Sequence, residues 1–319
     1  MANRTFIAHS PLGEELEFRS LEGSEQISRL FEYRVRLISQ NSSIAARSLL
    51  GKDMSIEIDL TTETAGSGKR FLSGQVTQFS YIGKDGDHFA YEALLRPWLW
   101  HATRRSDFKI FQFKKVPDII KEVLGPYGFT IDDRLVGSYR AWDYMVQYGE
   151  TDFNFISRLL EAEGGYFFFE HSMGSHKLVL ADDIGSHGPL PNGPATISYY
   201  PGNRAANIHS VDFIDDWRFA EDIASGHFAS DDYDFEKPKA LLETRQQQPA
   251  GHPRTVANST TGRVATPMRA TARTTHACAS SSKRPSAKSP RAKAMRATSH
   301  RATCSPSANI QELTRTRNT

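Results

Sequence analysis

All 19 phenylalanines, 11 tyrosines and four tryptophans of this 319-residue chain lie before Pro253. No feature constrains the fold more. Large apolar side chains must offset the entropy lost on ordering a backbone, and residues 253–319 have almost none. That stretch carries 13 Lys/Arg against the single acid Glu312, a net charge of +12, and holds both cysteines, Cys278 and Cys304. The first 252 residues are left acidic, at −10, and free of cysteine. A body of that length can bury a sizeable core. The tail has the composition of a disordered segment. A cysteine-free body needs no disulfide and suits a reducing compartment. The opening MANRTFIAHSPLGEELEF has no apolar segment of the kind a signal peptide carries. No run approaches the ~18 apolar residues of a membrane span. The sequence therefore predicts a soluble, cytosolically made protein.

Within the body, alternation dominates. In LFEYRVRLIS, Phe31, Tyr33, Val35 and Leu37 alternate with charged residues, the period of a half-buried strand. Met54, Ile56 and Ile58 repeat the pattern. FLSGQVTQFSYI and HFAYEALLRPWLW flank GKDGD, a turn signal that predicts a hairpin. Two helices follow. VPDIIKEVLGPYG has Pro117 early, an apolar face of Ile119, Ile120, Val123 and Leu124, and a stop at Gly125-Pro126. ETDFNFISRLLEAEGG has Thr151 as cap, Asp152 in the first turn, Gly164 as stop, and Phe153, Ile156, Leu159 and Leu160 on one face. GYFFFEH and HKLVLADD, joined by SMGS, predict a second hairpin. More strands are predicted in HSVDFID and ASGHFASDDYDF. Strands, short helices, then strands give an α+β, mainly β fold.

The body offers little chemistry. It has no phosphate loop, no dinucleotide-binding glycine motif, no nucleophile elbow and no HExxH. His171 and His176 flank the tight SMGS loop, with Asp182 and Asp183 beyond, and three or four such ligands could hold a metal. A polar hairpin end is the plainer reading. Asp215-Asp216 and Asp231-Asp232-Asp234 lack calcium-loop spacing and read as solvated strand ends. Glu161, Glu163 and Glu170 could serve as acid/base carboxylates, but fit a helix surface and a strand end. Phe167, Phe168 and Phe169 could stack on a base or sugar and are assigned to the core. The body's negative charge opposes polyanions, while the tail's charge alone would give sequence-blind, salt-dependent nucleic-acid binding. No catalytic, cofactor-binding or metal-binding residue is assigned, and no cofactor is expected.

VQYGETDFNFISRLLEAEGGYFFFEHSMGSHKLVLADD closely resembles the signature of the VgrG (Rhs-element Vgr) family, the spike-tip proteins of type VI secretion systems. LFEYRVRLIS, SGQVTQFSYIG and PWLW stand in the family's order, and the likeness runs over about residues 5–252. It departs mildly at Gly165, where EGGYFFF stands for EGIYYFF. The resemblance implies a phage-hub-like architecture: a first β-barrel (tube) domain at 1–104, and an α/β insertion with two short helices and a hairpin at 105–200. The start of a second, truncated β-barrel follows at 201–252, then a disordered tail at 253–319. It implies a non-enzymatic homotrimer that caps the hexameric Hcp tube and carries effectors or adaptors. It also implies no specific nucleic acid and no membrane span. Such a protein is cytoplasmic before assembly and is exported by the type VI system itself. A phage or tailocin baseplate hub resembling late-control protein D is the alternative. An enzyme is a third reading, since some members of the family carry effector domains.

The family continues past residue 252 with YDWPG, RVRLEE and LFTL…HPR.DQN, none of which is written in this chain. Each emerges in one shifted reading frame. Codons permitted for Asn258–Arg269, read from one base upstream, encode ELYDWPGRYTDAG. The same offset turns HACASSSKR into RVRLEQQ and Cys304–Arg315 into FTLGEHPRADQ. The tail is therefore expected to be an out-of-frame translation beginning near His252. A chain so altered is expected to expose unpaired strand edges and to be inactive as a spike tip.

Overall fold

The computed structural model describes residues 6–59 and 68–188, with short pieces beyond (198–199, 213–214, 227–231, 239, 243–247, 258–262, 295–297 and 300–302). The second barrel expected at 201–252 and the disordered tail expected at 253–319 therefore lie largely outside the described residues. Among the pieces, His227–Asp231 is a strand paired antiparallel with Thr244–Gln247.

The first unit is a six-stranded antiparallel sheet. Its strands are β1 (Phe6–His9), β2 (Glu17–Ser24), β3 (Glu32–Ser39), β4 (Asp53–Asp59), β5 (Lys69–Asp85) and β6 (His88–Arg96), in spatial order β1-β4-β5-β6-β3-β2. The alternation of β3 places Tyr33, Val35 and Leu37 in the core, and Met54, Ile56 and Ile58 of β4 join them. Each of these fully buried large side chains contributes roughly 1.5–3 kcal/mol relative to exposure. The sheet curls until its two edge strands approach, where Phe6 of β1 stacks on Phe18 of β2 at 5.3 Å. Strands β1 and β2 are not hydrogen-bonded neighbours, so the curl is an open half-barrel.

The second unit starts where the apolar run of β6 ends. PWLW continues not as strand but as a 3-10 turn, Trp98–Thr103, with Trp98 fully buried. Strand β7 (Ser106–Phe111) then leads through β8 (Lys114–Lys115) to α1 (Val116–Leu124). After β9 (Ile131–Arg134) and β10 (Ala141–Trp142), β11 (Met145–Thr151) pairs antiparallel with β7 and runs into α2 (Asp152–Glu163). The hairpin β12 (Tyr166–Ser172) and β13 (Ser175–Ala181) closes the unit, with β9 parallel to β13. Thr151 caps α2, accepting from the Asn154 N–H at 3.2 Å, and Gly164 ends it in the left-handed region at φ +77°. One expected face differs. Phe155, not Phe153, is the fully buried phenylalanine of α2, stacked on Phe111 at 5.6 Å. Phe153 is only partly buried. The β7–β11 ribbon supplies a wall that the helix period alone does not reveal.

Candidate assembly site

The β12–β13 hairpin joins the two cores. Its residues 166–181 belong to the second unit, but its tip lies against the half-barrel. Phe169 packs against both cores and meets Phe31 edge-on at 5.1 Å. Around it the polar groups interlock. The Ser73 hydroxyl donates to the Ser172 carbonyl at 2.5 Å and lies 2.6 Å from the Ser55 hydroxyl, which accepts from the Gly174 N–H at 2.9 Å. Ser55 and Ser73 are buried. They stand on the half-barrel face that alternation assigns to solvent, because the hairpin tip covers them.

His171 and His176 stand directly opposite each other in the hairpin register, as the short loop predicted, with ring centroids 6.2 Å apart. Both rings serve the seam. His171 Nδ1 lies 3.0 Å from the Ser73 carbonyl and 3.2 Å from its N–H, and Nε2 lies 3.2 Å from the Tyr33 hydroxyl. His176 Nε2 accepts the Trp98 N–H at 2.8 Å, which fixes the point where the chain leaves the sheet. Burial pushes the His171 pKa down to about 4, against a smaller upward pull from the Ser73 backbone. Burial, then the neighbouring His171, pushes His176 down to about 3. Both are neutral in the folded protein at pH 7.

The aspartates do not converge on them. Asp182 lies just past the far end of β13 and accepts from the Val136 N–H at 3.0 Å, the Gly137 N–H at 2.7 Å and the Tyr139 hydroxyl at 2.7 Å. Burial alone would raise its pKa, but these donors together hold it below the ordinary carboxylate value. Asp183 caps the 3-10 turn Ile184–Ser186 through the Gly185 N–H at 2.7 Å. Glu163 accepts from Trp142 Nε1 at 2.9 Å, Glu170 pairs with Arg134 at 2.7 Å and Lys177 at 3.0 Å, and Glu161 is exposed. Phe167 is fully buried, while Phe168 is half-buried and stacks on His187 at 4.6 Å. Of the remaining acids, Asp231 is exposed in its strand, and Asp215, Asp216, Asp232 and Asp234 fall outside the described residues. Among the described residues, no group of three or more His, Cys, Asp and Glu is placed to hold a metal.

Sequence reasoning missed two features. Asp152 is a buried hub: it accepts from the Tyr127 hydroxyl and from Gln147 Nε2, each at 2.7 Å, with Arg105 Nε 3.7 Å away. Only its place in the first turn of α2 was legible. The second is the outward face of the β7–β11 ribbon. Phe108 and Tyr148 are cross-strand partners in T-shaped contact at 5.1 Å, yet 70% and 80% exposed, and Ile110 beside them is 56% exposed. The three form an apolar patch turned to solvent.

The family model for the phage tail baseplate hub (GPD) matches residues 24–311. The chain belongs to the phage tail baseplate hub family. Two curated hub relatives from Pseudomonas aeruginosa are similar at high identity. The type VI secretion system spike protein VgrG1c is 42% identical over 245 residues, which is 76% of this chain and 33% of that protein. VgrG1a is 42% identical over 240 residues, 74% of this chain and 36% of that protein. The chain thus spans about a third of the length of these relatives. The tail protein from Neisseria meningitidis MC58 shares the hub fold, with a TM-score of 0.54 at 12% identity over 86% of this chain and 75% of that one. The expectation of a hub-like, mainly β fold is met.

Proposed function

We propose that this hub-family chain belongs to a load-bearing component of a type VI secretion spike, which in its in-frame form is a homotrimer that caps the hexameric Hcp tube and is exported with it. The observation that carries this reading is the ribbon face of Phe108, Ile110 and Tyr148, held in solvent by a two-core body. The histidines and carboxylates singled out for chemistry in the described part are instead engaged in structural bonds or dispersed. The high identity to spike proteins supports the same assignment. Residues 1–104 form the first tube domain, 105–200 the insertion, and 201–252 begin a second tube domain. Three chains would supply six tube domains to match a hexamer. Residues 253–319 are read as an out-of-frame product. In that form the second tube domain is incomplete and the chain does not cap a tube.

The test pairs the chain as written with one re-encoded in the shifted frame from residue 253. The re-encoded chain is expected to co-sediment with Hcp tubes as a trimer, and the written chain is not. Failure of the re-encoded chain to bind a tube would sink the assignment. A phage or tailocin hub is the second reading, favoured by the shared fold of the tail protein. Sheath and fibre genes beside this one, in place of secretion genes, would select it.

A further inference from the structure

Strand β2 carries one extra residue and β5 carries two, at Thr77 and at Ile82. Phe18 and Ser20 pair with Leu37 and Arg36, which leaves Arg19 bulged. Tyr81 and Gly83 pair with Tyr91 and Ala90, which leaves Ile82 bulged, with Gly83 at φ +123°. Bulges re-aim side chains and bend strands. Here they flank the β3–β6 pair, where Ile38 of β3 opposes the small Ala90 of β6. A depression of about 350 Å³ lies among these four strands. Arg19, Arg36 and Lys84 line it, with Asp85 as the one lining carboxylate. Arg19 is committed, since its Nε donates to Asp85 at 2.8 Å and ties β2 to the β5–β6 hairpin. Arg36 is 60% exposed and among the described residues reaches only Glu92, at 3.9 Å, a carboxylate that Arg34 also takes at 3.4 Å. Lys84 lies over the Phe89 ring at 5.2 Å.

We propose that this depression docks an extended, carboxylate-bearing segment of a partner protein. Arg36 would grip a side-chain carboxylate with its guanidinium fork and Lys84 would hold the next. Two under-committed cations around an apolar floor of Ile38, Ala90 and Ile82 match an acidic peptide with interspersed apolar residues. A nucleic-acid backbone fits less well, because it would set an unbroken row of phosphates against Asp85 and Glu92, where a peptide can place an apolar residue. The proposal rests on the assembly reading only for who supplies the segment.

The test is zero-length carbodiimide coupling of an octaglutamate peptide to the full 319-residue chain, mapped by mass spectrometry. Lys84 is expected to carry the peptide. Its yield should fall about five-fold in Arg36→Glu and be retained in Arg36→Lys. The tail lysines Lys283, Lys288 and Lys293 should label equally in all three proteins and serve as the internal reference. Labelling confined to the tail lysines would overturn the proposal. So would Lys84 labelling that Arg36→Glu leaves unchanged, or Lys84 protection by an oligonucleotide but not by free peptide. Tube co-sedimentation decides the hub reading separately, so neither failure can be mistaken for the other.

Discussion

Asp152 ties three segments together with one buried carboxylate: the loop after α1 through Tyr127, β11 through Gln147, and its own helix. Replacing it with alanine strands the buried Gln147 amide and the half-buried Tyr127 hydroxyl. Asp152→Ala is expected to cost about 2–4 kcal/mol, read as a lower urea midpoint at unchanged slope. Gly74 is constrained differently. A Cβ there would meet the Phe31 ring at 3.0 Å and both Leu95 Cβ and the Arg96 carbonyl at 3.2 Å. Backbone and a core ring cannot both retreat, so Gly74→Ala is expected to cost about 1–3 kcal/mol by overpacking, measured the same way. Neither role could be read in the chain. Asp152 looked like an ordinary first-turn acid, because its partners Tyr127 and Gln147 reach it only through tertiary packing. Thr151 and Gly164 were legible, because capping and the left-handed stop are local.

At the scale of elements, the hairpin seam makes the fold acid-sensitive. His171 and His176 have pKa values near 4 and 3 in the folded chain, both depressed by burial, against about 6.5 unfolded. The unfolded state therefore binds the extra protons. The histidines' contribution is fully present above pH 6.5 and is lost as pH falls from there toward 4 and 3. Between pH 7 and pH 5 each is expected to remove on the order of 2 kcal/mol. Hydrogen exchange should show β12 and β13 losing protection first, and His171→Gln should reduce the slope of stability against pH. A urea midpoint that stays flat from pH 7 to 5 would refute this. The seam also shows what periodicity can reveal. Alternation located β3 and the core side of β4, since each strand has one buried face. It failed for Ser55 and Ser73, because their cover comes from residues 172–174, about a hundred positions away. Strands β7 and β11 went unread because their inner faces, Phe111 and Gln147, are packed while Phe108, Ile110 and Tyr148 face outward, which reverses the expected pattern.

At the scale of the molecule, two cores share Phe169 and leave the Phe108–Tyr148 face outside. If that face serves assembly, removing it should spare the fold. Phe108→Ser with Tyr148→Ser is expected to leave the unfolding free energy, read by urea titration, within about 0.5 kcal/mol of the parent and to weaken self-association at least ten-fold. The family signature was legible from contiguous residues, and the fold of residues 6–59 and 68–188 bears out the mainly β reading. The seam and the ribbon were not legible, since each depends on residues distant in sequence. Assembly through this body is read by sedimentation equilibrium of the chain re-encoded in the shifted frame from residue 253: the mass of three chains is expected, and a monomer across the micromolar range would overturn the trimer.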